Sequence, residues 1–159
     1  MPAKHLSILL FIALMLAGCS KSEPAAAAPA PSGPRTIELT AGDNMRYNLN
    51  RIEAAPGEQL HVTLTNVGMI PKEAMGHDWI LLRAGVDADA YSRAAVAAKD
   101  TNYQPASLAF EVLASISLLG PGQTGDVIFN APTQPGEYPF LCSFPAHCQA
   151  GMRGVLVVR

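Results

Sequence analysis

The chain predicts an all-β protein, an eight-stranded sandwich with one helical interruption, and three observations carry that expectation. Short runs of alternating or continuous apolar residues recur from Thr36 to the end. Clusters of Gly, Pro, Asn and Asp separate them at close intervals. Helix-favouring composition is confined to a single alanine-rich stretch. Alternation of period two marks a half-buried strand, and the intervening residues are those that turns require. Many short strands at such spacing suggest a β-sandwich.

Taken in order, the strand candidates are residues 36–40, 46–52, 59–66, 77–83, 115–119, 126–130, 136–142 and 154–158. Turn chemistry lies between them at Ala41-Gly42-Asp43-Asn44, Pro56-Gly57, Gly120-Pro121-Gly122 and Pro135-Gly136. In the third run Leu60, Val62 and Leu64 share one face, which leaves His61 with Thr63 and Thr65 on the other. His61 is therefore expected to face solvent without a metal role. Trp79, set among apolar neighbours, is expected in the core. Residues 87–99 read as a helix with Asp87 or Asp89 as its cap, and residues 107–113 offer a further helical turn. Residues 84–114 are thus expected to form a helical flap between two strands. No internal repeat is present.

The first residues are of another kind. Lys4 precedes the apolar run 6–16, which ends in Leu16-Ala17-Gly18-Cys19. A basic start and a short apolar stretch describe an export signal, too short for a comfortable membrane span. The ending resembles the lipobox of bacterial lipoproteins, which implies cleavage after residue 18 and a lipid on Cys19. Ser20 rather than Asp after the cysteine favours, by the same resemblance, the outer membrane. Residues 21–34 carry proline at a density that blocks helix and sheet and leaves an extended tether. The expected organisation is signal 1–18, lipidated Cys19 with a Pro/Ala-rich linker over 19–35, and one domain over 36–159.

With 11 basic and 13 acidic residues the chain has no basic field for nucleic acid. Its three cysteines, at 19, 142 and 148, are too few for a disulfide-stapled scaffold. The informative stretch runs from Cys142 to Met152, Cys-Ser-Phe-Pro-Ala-His-Cys-Gln-Ala-Gly-Met. It places a thiol, an imidazole and a thioether at intervals of five residues between two apolar runs. Thiolate, imidazole and a weak axial thioether are donors of blue-copper electron-transfer sites, which need a second imidazole. His77, in Met75-Gly76-His77-Asp78-Trp79-Ile80, is the best candidate for it.

Here a resemblance becomes close. Gly76-His77-Asp78-Trp79-Ile80-Leu81 and Cys142-Ser143-Phe144-Pro145-Ala146-His147, followed by Met152, resemble the copper motifs of the cupredoxin family, and of its azurin branch in particular. Asp43-Asn44-Met45-Arg46-Tyr47-Asn48 is similar to an early strand of those proteins. Asn66-Val67-Gly68-Met69-Ile70-Pro71-Lys72 is similar to the loop before their first ligand histidine. The resemblance implies a Greek-key cupredoxin sandwich holding one type 1 copper through His77, Cys142 and His147. It further implies Met152 as weak axial ligand and the Gly76 carbonyl on the opposite face. Met45, Met75, Phe144 and Ala146 align with the apolar rim on which redox partners dock, with electrons passing through His147. The partners implied are redox proteins such as c-type cytochromes or copper and haem oxidoreductases.

The chain departs from the azurin pattern in three respects. The histidine-to-methionine spacing is H-x4-M, as in plastocyanins and auracyanins, where azurins have H-x3-M. No cysteine lies between Ala41 and Leu141, so the azurin disulfide is absent. Asp78 stands where azurins carry asparagine, and its carboxylate is expected to accept hydrogen bonds near Ser143. Cys148 is read as a buried thiol, with competition for the metal or pairing with Cys142 as alternatives. The expected function is electron carriage by a membrane-anchored, non-enzymatic copper protein. The alternative is a copper chaperone or scavenger, against which the scattered methionines speak. Two weaker readings are zinc at the same donors and a metal-free sandwich with a Cys142–Cys148 disulfide.

Overall fold

The computed structural model describes residues 33–159; the expected signal, Cys19 and most of the expected tether lie outside the described residues. Among the described residues nine strands form two sheets, and all eight predicted runs are among them. One sheet has the order β2 (Arg46–Tyr47), β1 (Arg35–Gly42), β4 (Gln59–Asn66), β7 (Thr124–Asn130). The other has the order β3 (Arg51–Ala54), β9 (Arg153–Val158), β8 (Gly136–Leu141), β5 (His77–Leu82), β6 (Val112–Leu119). Alternation does what the sequence implied: Leu60, Val62 and Leu64 of β4 are fully buried, while His61 faces out and pairs with Asp126. β1 lies parallel to β4 in a register that stacks Ile37 on Val62 and Leu39 on Leu64, with the core between the two sheets.

The run 46–52, expected as one strand, is broken in two because the chain crosses there from one sheet to the other. Asn48 anchors the departure. Its backbone N–H donates to the Thr40 carbonyl at 3.2 Å, and its side-chain oxygen accepts from the Thr40 N–H at 2.8 Å. Asn50 anchors the arrival, its carbonyl accepting the Val155 N–H at 2.9 Å.

The segment between β5 and β6 is helical but less regular than its alanines suggest. α2 spans Ala88–Ala95 rather than 87–99, and 3₁₀ turns follow at Lys99–Thr101 and Ala106–Glu111. Asp87 is the cap, accepting from the N–H groups of Asp89 and Ala90. Asn102 and Tyr103 adopt left-handed backbone (φ 53° and 61°), which ends the 3₁₀ turn at Thr101, and Tyr103 is buried. Tertiary packing has outweighed helix propensity here. β6 begins at Val112, so the flap ends sooner than residue 114.

The flap explains why every residue of β5 is buried. Trp79 and Leu81 belong to the core between the sheets, whereas Ile80 and Leu82 join Tyr91, Leu141 and Cys148 in a second cluster beneath α2. Each such aliphatic side chain contributes roughly 2 kcal/mol on burial. A strand covered on both sides is a rigid mount for its first residue, His77.

Where β8 and β9 pair, Phe140 lies opposite Gly154. A Cβ on Gly154 would come within 2.3 Å of the Phe140 ring and 2.4 Å of the Asn50 carbonyl. The carbonyl belongs to the pinned crossing and cannot yield. Gly154→Ala is expected to cost about 3 kcal/mol, seen as a lowered midpoint in denaturant titration of the metal-free protein.

Candidate metal centre

Three donors from two regions of the chain meet at one end of the sandwich. His77 opens β5, Cys142 follows the last residue of β8, and His147 opens the short helix α3 (His147–Ala150). One side-chain atom from each lies within 4.8 Å of the others, and all three residues are buried. Cys142 Sγ stands 3.5 Å from His147 Nδ1, and the two imidazole rings are 5.0 Å apart.

The segment carrying Cys142, His147 and Met152 closes on itself. The Cys142 N–H donates to the Met152 carbonyl at 3.0 Å, and the Met152 N–H donates to the His147 carbonyl at 2.9 Å. The stretch between β8 and β9 thus contains a helical turn. It is entered through Ala146 at φ 69° and left through Gly151 at φ 104°. Left-handed backbone at an alanine costs about 1 kcal/mol, and strain of this kind persists where surrounding contacts over-determine it. Met152 is fully buried beside the other donors' segment. Gly76, immediately before His77, has no room for a Cβ, which would meet Leu118 and the Lys72 carbonyl at 2.8 Å.

The electrostatics prepare the two imidazoles for a metal. Neither ring nitrogen of His77 has a hydrogen-bond partner although the ring is buried. Such orphaned groups are costly and rare, and coordination would satisfy one of them. Burial lowers the His77 pKa, and burial together with His77 holds that of His147 down at about 4. Both imidazoles are therefore neutral near pH 7 and their lone pairs are available. Burial pushes the Cys142 thiol well above its ordinary value, with the Asp78 charge adding to the rise. Thiol and imidazoles suit copper or zinc, and no carboxylate belongs to the group.

Asp78 is occupied otherwise. Its Oδ1 accepts the Ser143 N–H at 2.7 Å and its Oδ2 accepts the Ser143 hydroxyl, as the sequence reading anticipated. Burial raises its pKa to about 6, against the opposing effect of those hydrogen bonds. The Tyr47 hydroxyl donates to the Asp78 carbonyl. Adjacent residues of both strands of donors are thus tied together.

The expected rim is only partly open. Ala146 is exposed and Met45 and Met75 are half-buried. Phe144 is only 8% exposed, with Tyr103 edge-on at 5.1 Å and the His147 ring at 4.7 Å. It is a wall of the centre rather than open surface, because the flap brings Tyr103 over it. The outward apolar area lies instead in the loop before α1 (Lys72–Met75), at Val67, Met69 (85% exposed) and Ile70. The Asp43 carboxylate holds this loop through the Met69 and Ile70 N–H groups. For Met69 the sequence leaves a rim position and plain loop packing equally open, and its exposure favours the rim. Cys148 points away from the centre, into the cluster beneath α2, so neither competition for the metal nor a bond to Cys142 fits its placement.

Metal uptake by such a site releases the protons its ligands carry. With both imidazoles already neutral and only the thiol protonated, loading Cu(II) at pH 7 is expected to release about one proton per ion, measurable by pH-stat titration. A release near two would mean that an imidazole starts charged.

Residues 35–159 match the family of copper binding proteins that comprises plastocyanin and azurin. The azurin of Bordetella pertussis is 32% identical over 132 residues, covering 81% of this chain and 87% of that protein. Outer membrane protein H.8 of Neisseria meningitidis is 33% identical over 114 residues, covering 70% of this chain and 60% of that protein. Among solved structures, the dithionite-reduced auracyanin of the photosynthetic bacterium Roseiflexus castenholzii superposes with a TM-score of 0.70 at 32% identity. That likeness spans 80% of this chain and 99% of the auracyanin. With its two-sheet fold and the cluster of two imidazoles and a thiol, the chain belongs to the plastocyanin/azurin family of copper-binding proteins.

Proposed function

We propose that this blue-copper electron-transfer protein works tethered to a membrane, shuttling single electrons between redox proteins of the bacterial cell envelope. The observation that carries the reading is the buried, otherwise unpartnered His77 ring beside Cys142 and His147. We assign His77, Cys142 and His147 as the copper ligands, Met152 as the weak axial ligand and the Gly76 carbonyl as the group on the opposite face. Copper in this setting supplies a one-electron couple whose geometry suits both oxidation states.

The residues around it supply the rest. Burial of all donors excludes water and opposes ligand exchange, which favours a carrier over a chaperone or scavenger. A filled donor set leaves no position for a substrate, so no enzymatic activity is assigned. The electron leaves through His147, whose neighbour Ala146 is exposed. Met45, Met75 and Ala146, extended by Val67, Met69 and Ile70, form the docking face. A small apolar face suits brief encounters, and c-type cytochromes or copper and haem oxidoreductases are the expected partners. The lipobox ending at Cys19 and the tether behind it support attachment to the outer membrane, as does the name of the Neisseria relative.

Two outcomes test this. The Cu(II)-loaded protein should show an intense thiolate-to-copper band in the visible that vanishes on reduction, and Cys142→Ser should abolish it. A colourless copper adduct would sink the carrier reading. The ionised Asp78 favours the more positive oxidation state of a bound ion. As pH falls through the Asp78 pKa, about 6 or lower once copper is present, the potential should rise. Asp78→Asn should raise it at pH 7 by on the order of 50 mV, roughly 1 kcal/mol for one electron, and flatten the pH dependence. Voltammetry across pH 4–8 reads both, and an unchanged potential would overturn the role given to Asp78.

A further inference from the structure

The ligand segment is gripped from outside the sandwich by α2. Arg153 Nη1 donates to Asp89 Oδ2 at 2.8 Å, just past Met152. Gln149 Nε2 donates to the Ser92 hydroxyl at 2.6 Å, from the middle of α3. Next to Gln149 the Cys148 thiol is fully buried, 3.8 Å from both the Ala88 carbonyl and Asp89 Oδ1. Around the thiol lie Tyr91, Ile80, Leu82 and Leu141. Three successive points of the segment that bears His147 and Met152 are therefore tied to one face of one helix.

These ties do not belong to the donor cluster, yet the segment needs an external hold. It is entered through a left-handed alanine, a conformation that its Cβ disfavours. A chain so strained relaxes unless neighbouring contacts hold it. α2 is itself firmly seated, with Tyr91 and Ala95 buried and Asp87 capping its start. We propose that the flap helix is the positioning element of the metal site, with Asp89 and Ser92 as positioning residues that act through Arg153 and Gln149. It holds His147 and Met152 near their working places before any metal arrives. A segment held in this way rearranges little when the oxidation state changes, which is what an electron carrier requires. This consequence rests on the ligand assignment proposed above, but the positioning itself does not.

The test therefore uses the metal-free full chain and a readout that needs no copper. Cys142 is fully buried, so a small alkylating agent such as iodoacetamide reaches it only when the segment opens. Label on Cys142 is distinguished from label on Cys19 or Cys148 by fragment-ion mass spectrometry. Asp89→Asn combined with Ser92→Ala is expected to speed alkylation of Cys142 about five-fold, the opening gained when ties of this kind are lost. Gln149→Ala, an exposed position that cuts the same contact from the other side, should act in the same direction. Val62→Ala, buried in β4 of the other sheet, serves as comparison at an equal loss of thermal stability. An unchanged Cys142 rate in the α2 and Gln149 variants would overturn the proposal, as would an equal acceleration by Val62→Ala. A failure of the ligand assignment would appear instead as a missing visible band in the copper-loaded wild type, with the alkylation rates unaffected.

Discussion

The site depends on one buried contact, the Asp78 carboxylate accepting both the N–H and the hydroxyl of Ser143. Asp78 follows His77 and Ser143 follows Cys142, so the bond fixes the spacing between the strand that carries one donor and the turn that carries the others. A carboxylate within the protein is expensive, and its raised pKa records that cost. Two hydrogen bonds from one residue offset much of it. The Tyr47 hydroxyl on the Asp78 carbonyl extends the same bracing to β2, across the sandwich.

Around that contact, local comfort is set aside in several places. The His77 ring has no hydrogen bond, the Cys142 thiol lacks solvent, and Ala146 adopts a left-handed backbone. Proteins tolerate such violations where the surrounding fold is secure, and functional sites are where they gather. Here the security comes from a strand buried on both faces, with the sandwich core on one side and the flap on the other. The flap is therefore more than an insertion. It completes the cover of β5, seats Tyr103 over Phe144 and reaches the outer side of the ligand segment.

The same packing redistributes the outer face. Phe144 loses its exposure to Tyr103, while the Asp43 carboxylate holds Met69 and Ile70 outward by their backbone N–H groups. An interaction surface is thus shaped by a polar residue that is not part of it. The lysine and glutamate of α1, next to this loop, leave the face with little net charge, as suits contacts that must form and break quickly.

Much of this was legible in the chain itself. Alternation in β4, the turn residues between runs, and the donor types spaced along 142–152 determined the class of fold and the chemistry of the centre, because side-chain period and ligand softness are properties of the residues alone. The break at Asn48–Asn50 was not legible, since both halves of the run favour strand and only pairing with β1 and β9 separates them. Nor was the end of α2 at Ala95, where alanine propensity points onward but the chain passes into a separate 3₁₀ turn at Lys99–Thr101. Phe144 and Cys148 make the point most plainly. Their sequence positions place both within the ligand segment, but one is covered by the flap and the other turned beneath it. Which way a side chain faces on an irregular segment depends on contacts made far along the chain, and those exist only once the sheets and the flap have come together.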